Sequence, residues 1–162
     1  MKTVSLLVDV QNVYYTTRQA YGRHFDYRKF WARVTEGREV LNATAYAIDR
    51  CDEQQRRFQE ILKTIGFDVK LKPFIQRADG SAKGDWDVGI ALDAMEYAEQ
   101  SDTIVLASGD GDFELLANRI KDRWQASVEV YGVAELTADS LIAAADVFIP
   151  IQADLLIAKN DR

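Results

Sequence analysis

The chain has 162 residues, 48% hydrophobic and 28% charged, the balance of a folded domain and not of a disordered or collagen-like chain. Its net charge of −6 argues against a protein that coats nucleic acid by bulk electrostatics. It leaves room for an enzyme that meets nucleic acid at one local site, because clustered carboxylates inflate the negative total.

The opening MKTVSLLVDVQNVYY has an apolar run interrupted by Asp9 and no small-residue cleavage site, so residues 4–8 read as a buried strand and not as a signal peptide. Residues 11–23 read as a helix and 27–34 as a shorter one. A second strand is expected over 40–48. Residues 52–66 form a clear helix pattern, with Phe58, Ile61, Leu62 and Ile65 on one face and Gly66 as its stop. The third strand is expected over 67–75, followed by a polar loop over 76–85. Residues 86–99 read as a helix with Ile90, Ala91, Ala94, Met95 and Ala98 facing inward. A fourth strand over 103–107, a helix over 112–124, a fifth strand over 127–131 and a helix over 138–145 follow, with a last strand at 147–150. The tail, about 151–162, reads either as a short packed helix or as a fraying end.

Near-continuous apolar strands alternating with helices imply an α/β fold with a mainly parallel sheet of about five or six strands covered on both faces. With no repeat or linker, residues 1–162 are expected to form a single domain. No apolar run reaches the roughly 18–20 residues that span a bilayer, and the one cysteine, Cys51, cannot close an internal disulfide. A reducing, cytoplasmic setting without membrane association is therefore expected. Between residues 50 and 83 the local charge turns positive, with eight Lys/Arg against five Asp/Glu.

Ligands of open α/β sheets bind beyond the carboxyl ends of the strands. The first strand ends in Asp9, followed by Gln11 and Asn12. The fourth ends in Ser108, Gly109, Asp110, Gly111 and Asp112. The helix before it opens with Lys83, Gly84, Asp85 and Asp87. Carboxylates gathered this closely repel one another unless a cation compensates, and an all-oxygen set without His or Cys suits Mg²⁺ or Mn²⁺. Asp112 can also cap the next helix, whereas Asp110 has no such local role. Gly109 and Gly111 would let the backbone turn and approach a ligand. There is no GxxxxGK[ST] loop, and Gly109-Asp110-Gly111 lacks the third glycine of a dinucleotide fingerprint. His24, the lone histidine, sits in no motif and reads as a surface residue.

The segments DVQN (residues 9–12), KGDWDV (83–88) and SGDGDF (108–113) resemble those of the NYN domain, and more closely its bacterial LabA-like branch within the PIN-like nuclease superfamily. ALDAMEYA and SLIAAADVFIPI extend the resemblance over most of the chain. The resemblance implies a PIN-like three-layer fold and metal-dependent RNA cleavage. Its acidic set would be Asp9, Asp87, Asp110 and Asp112, catalytic and metal-binding, with Asn12 and Ser108 as polar neighbours. Two residues, Asp85 and Trp86, separate Lys83-Gly84 from Asp87, so Asp85 or Asp87 supplies that acid. Asp87 is favoured because Val88, Ile90 and Ala91 begin the amphipathic face.

The chemistry expected of such a site is hydrolysis of a phosphodiester of single-stranded RNA with one or two Mg²⁺ or Mn²⁺ ions. Asn12, Ser108, Lys83 and Arg77 would contact substrate, and Tyr14, Tyr15, Arg18 and Trp86 lie near enough in sequence to add stacking or charge. The competing reading is a non-catalytic RNA-binding or regulatory module on the same fold. An aspartate-nucleophile phosphatase would want a second acid two residues after Asp9, where Gln11 stands. A homo-oligomer is compatible with all of these.

Overall fold

Strands that carry Val, Ile, Leu and Ala on both faces can satisfy themselves only inside a parallel sheet with helices on either side. The computed structural model, which describes residues 1–73, 75–76, 82–83 and 85–158 (the backbone alone for 75–76 and 82–83), shows that arrangement. Its elements are β1 (Lys2–Asp9), α1 (Val10–Tyr21), α2 (Tyr27–Thr35), β2 (Arg38–Asp49), α3 (Glu53–Ile65), β3 (Asp68–Pro73), β4 (Ile75–Gln76), β5 (Ala82–Lys83), α4 (Asp87–Ala98), β6 (Thr103–Ala107), α5 (Glu114–Trp124), β7 (Ser127–Gly132), α6 (Asp139–Ala144) and β8 (Val147–Pro150). Six strands form one sheet in the order β3-β2-β1-β6-β7-β8, every neighbouring pair parallel.

The chain winds outward from β1 to β3, returns through α4 to the centre, and winds outward again from β6 to β8. The direction reverses between β1 and β6, and the crevice beyond their carboxyl ends is where such folds place ligands. Side chains alternate across the sheet. Val4, Leu6 and Val8 join the core under α1, α2 and α3 together with Phe30 and Leu62. Leu7, Ile104 and Leu106 join the core under α4, α5 and α6.

Several expected boundaries move. The third strand stops at Pro73, which has no N–H to continue a ladder. The expected loop over 76–85 contains, at its ends, a two-residue antiparallel ladder pairing Ile75 with Lys83 and Gln76 with Ala82. The helix after β6 opens with a 3₁₀ turn, Gly111–Phe113, before α5 begins. Of the two readings of the tail, a short packed helix is the nearer one over the described residues. The tail makes one 3₁₀ turn, Ala153–Leu155, buries Leu155 and Leu156, and ties down through Asp26 N–H to Leu155 O (2.8 Å) and Ile157 N–H to His24 O (2.8 Å). Ile61, on the apolar face read for this helix, is 41% exposed on a cleft beside α3. Among the described residues no helix is long and apolar enough to cross a membrane.

Candidate metal centre

The period of two that buries Leu7 and Leu106 carries Asp9 and Ser108 toward the same face, under α4 and α5. Asp9, at the end of β1, caps α1: its Oδ1 accepts the Asn12 N–H at 3.3 Å, and its Oδ2 accepts from the Ser108 hydroxyl at 3.2 Å. That hydroxyl also accepts the Asp110 N–H at 3.2 Å. Asn12 Oδ1 accepts the Gly109 N–H at 2.8 Å, which ties the first turn of α1 to the loop after β6.

Capping after β6 falls to Asp110 and not to Asp112, because Asp110 Oδ1 accepts the Asp112 N–H at 2.9 Å. Asp112 is exposed and free for other work. Neither glycine has a positive φ, so the turn does not need their backbone freedom, and both pack closely on a neighbouring segment. A Cβ at Gly109 would stand 2.9 Å from Leu136 O and Thr137 Oγ1, and one at Gly111 would stand 2.8 Å from Ala138 Cβ. Their loop is pressed against the segment leading into α6, with Ala138 N–H donating to Gly109 O at 3.1 Å.

The third acid arrives on α4, which is docked across β2 by polar anchors. Tyr46 Oη donates to Asp93 at 2.8 Å, Lys70 pairs with the same carboxylate at 2.7 Å, and the Thr44 and Tyr97 hydroxyls lie 3.0 Å apart. Trp86 fixes the start of the helix. Its Nε1–H donates to Ala47 O at 2.8 Å, its ring packs on Tyr46, and Lys72 Nζ lies 4.6 Å from the ring centroid. Trp86 is therefore a structural bolt, not an open stacking platform for a base.

With α4 so placed, Asp87, Asp110 and Asp112 each offer a carboxylate oxygen within 4.8 Å of the others. Asp85 is exposed, and its Oδ1 accepts the Asp87 N–H at 3.3 Å. Of the two alternatives, Asp87 is the one that enters the group. Asp9 is not one of the three. It lies at the floor of the crevice, 9% exposed, with both oxygens already accepting hydrogen bonds.

The electrostatics mark this spot as strained without a cation. Burial, then the charge and shared proton of Asp110, then Asp85 and Asp9, push the Asp87 carboxyl from 3.8 to about 7. Burial pushes Asp9 from 3.8 to about 6 against its Asn12 and Ser108 hydrogen bonds, with help from the charges of Asp110 and Asp85. Three carboxylate oxygens within 4.8 Å of one another are close enough for a divalent cation to draw together, directly or through a bound water. The donor set, all carboxylate oxygen at the mouth of a crevice, is the kind that suits a hard divalent cation.

The remaining expected residues divide. Ser108 is fully buried and spends its hydroxyl between Asp9 and Asp110, so it positions acids and offers nothing to a substrate. Asn12 uses its carbonyl on Gly109, while its amide N–H₂ has no partner among the described residues. Arg77 and the Lys83 side chain lie outside the described residues. His24 is exposed and stacks beside Tyr14. Tyr14, Tyr15 and Arg18 line a separate cleft, together with Tyr27, which sequence reasoning passed over because an aromatic in an amphipathic helix reads as core.

Comparison with known proteins places the chain in a family. The chain is 30% identical, over 98% of its length and 89% of the relative's, to the Low amplitude and bright protein LabA of Synechococcus elongatus. A crystal structure of a protein of unknown function from Vibrio parahaemolyticus superposes with a TM-score of 0.92 at 55% identity, covering 96% of each chain. Ribokinase from Giardia lamblia shares the fold alone, at 12% identity and a TM-score of 0.51 over 94% of this chain and 58% of that one. The NYN domain model matches residues 3–152, and the chain belongs to the NYN domain family, as a LabA-like member with a PIN-like fold.

Proposed function

We propose that the protein is a metal-dependent ribonuclease that hydrolyses phosphodiester bonds of single-stranded RNA. The observation that carries this reading is the convergence of Asp87, Asp110 and Asp112 within 4.8 Å, beside the strand pair where the sheet reverses direction. Family membership supports it.

Asp87, Asp110 and Asp112 would hold the ion. Once bound, Mg²⁺ or Mn²⁺ supplies a Lewis acid that lowers the pKa of water and neutralises charge developing on the phosphate. The chain's own part is positional. Ser108 and Asn12 tie β1, α1 and the loop after β6 into one unit, which positions Asp9, Asp110 and Asp112, while α4 brings Asp87 to them. Asp9 adds negative potential at the floor and joins the catalytic set from there. The Asn12 amide is available to donate to a phosphate oxygen. Lys83 and Arg77, on the segment that leads into α4, are proposed to pair with RNA phosphates.

Incubation of purified protein with mixed single- and double-stranded RNAs, with and without Mg²⁺ or Mn²⁺, tests the reading. Cleavage of single strands that stops in EDTA and resumes on metal addition is expected. RNA binding without cleavage under either metal would replace the nuclease with a non-catalytic RNA-binding module.

A further inference from the structure

A cleft of about 710 Å³ opens on the other face of the sheet from the acids, between α1, the start of α2, α3 and the end of β2. Its floor is apolar, formed by Val13, Ala47, Ile48, Phe58 and Ile65. One stripe of α1 supplies Val10, Tyr14 and Thr17, and the adjoining stripe supplies Gln11, Tyr15 and Arg18. Since Val10 follows Asp9 directly, the cleft begins about 3.8 Å along the chain from the acid floor. The first turn of α1 is thus the shared wall, with Asn12 facing the acid loop and Gln11 facing the cleft.

The cleft is not simply a gap in the core. Tyr27, another of its walls, is 8% exposed, and its hydroxyl has no hydrogen-bond partner among the described residues. The oxygen itself is not sealed from solvent, so a ligand with a polar edge could take the place of water there. Arg28 forms no ion pair among the described residues, and Arg18 bonds only to the Tyr14 hydroxyl, at 3.2 Å. Tyr15 is half exposed, packed edge-on against Tyr14. The combination is an apolar slot with the half-exposed Tyr15 ring, one hydroxyl without a protein partner among the described residues, and three arginines (Arg18, Arg28, Arg50) against two aspartates (Asp26, Asp52) in its lining, in a chain of net charge −6. A lipid or aliphatic side chain would leave the Tyr27 hydroxyl unpaired and the cations idle. A planar heterocycle carrying a phosphate satisfies all three.

We propose that this cleft binds an unpaired nucleobase through ring stacking and the Tyr27 hydroxyl, with the phosphate of that nucleotide toward Arg28 and Arg18. The base comes from a single RNA strand that continues to the acids, which rests on the ribonuclease reading, or from a free nucleotide. The charge of Asp9 adds to burial in raising the Tyr27 hydroxyl above its ordinary range, so the two sites lie within each other's field.

The test uses Asp110→Asn protein in EDTA, so that RNA stays intact, with methyl-labelled Ile and Val observed by NMR. AMP, UMP and oligo(A) and oligo(U) pentaribonucleotides are the probes. The methyls of Ile48, Ile61, Ile65 and Val13 should shift, and Tyr15→Ala should weaken oligonucleotide binding about 5- to 100-fold. Tyr27→Phe removes an unpaired hydroxyl, so it should fold at least as stably while changing the order of base preference. Shifts with the pentamers alone assign the strand as the source; shifts with AMP or UMP alone assign free nucleotides. Silent cleft methyls, with Tyr15→Ala binding unchanged, overturn the proposal even where metal-dependent cleavage is intact. Cleft binding in a protein that cleaves no RNA upholds it and removes the nuclease instead.

Discussion

Replacing Asp9 with Asn isolates the electrostatic strain at the floor of the crevice. The amide keeps the shape of the side chain, its oxygen can still accept the Asn12 N–H, and Ser108 can reverse its hydrogen bond, so the change is mainly one of charge. Burial, opposed by the Asn12 and Ser108 hydrogen bonds and aided by Asp110 and Asp85, raises the folded-state carboxyl from 3.8 to about 6. The sign follows from proton binding. Between pH 4 and 6 the unfolded chain has lost this proton and the folded chain still holds it, so stability falls as pH rises through that window. Below it both states are protonated and the penalty is absent; above it the full penalty of about 3 kcal/mol applies in metal-free protein. Asp9→Asn should therefore be more stable than wild type at pH 8 in EDTA, by up to about 3 kcal/mol or roughly 6–12 °C in Tm, and indistinguishable near pH 3.5. Urea or thermal unfolding at a series of pH values reads both. A variant no more stable than wild type at pH 8, or an unchanged slope between pH 4 and 6, would refute the reasoning.

Saturating Mn²⁺ or Mg²⁺ should raise wild-type Tm, by about 2.7 kcal/mol of stability at a hundredfold excess over Kd, and Asp112→Asn should lose most of that gain; equal gains in both would place the ion elsewhere. Gly109→Ala should cost about 1–3 kcal/mol, because its Cβ meets Leu136 O and Thr137 Oγ1 at 2.9 Å, and denaturant midpoints would show it; a neutral result would mean that the loop is not pressed against that segment. Trp86→Phe removes the hydrogen bond to Ala47 O and should cost about 1–2 kcal/mol while weakening Mn²⁺ binding through the altered start of α4. Weakened stability with unchanged Mn²⁺ affinity would show that Trp86 does not position Asp87.

The sheet was legible because strands buried on both faces must be apolar throughout, and residues 4–8, 103–107 and 127–131 are nearly so. The acids were legible because they stand where those strands stop. What the sequence could not carry was side-chain reach. Asp9 ends a strand and Asp110 follows one, yet Asp9 is spent on Asn12 and Ser108 while Asp110 meets Asp87 and Asp112. The exchange of capping between Asp110 and Asp112 came from a 3₁₀ turn that propensity does not signal. Gly109 and Gly111 answer to a neighbour about 28 residues away in sequence, a tertiary contact with no local trace. Ile61 shares a helical face with Leu62, but the face outruns the core and lines the cleft.

Single-turnover cleavage of a single-stranded RNA at rising Mn²⁺, comparing wild type with Asp87→Asn, Asp110→Asn and Asp112→Asn, bears most directly on the acidic trio as a catalytic metal centre. Each substitution should lower the rate by orders of magnitude, since the ion supplies several kilocalories of transition-state stabilisation, and excess Mn²⁺ should recover part of the loss. Wild-type rates in all three variants, or cleavage that persists in EDTA, would contradict it.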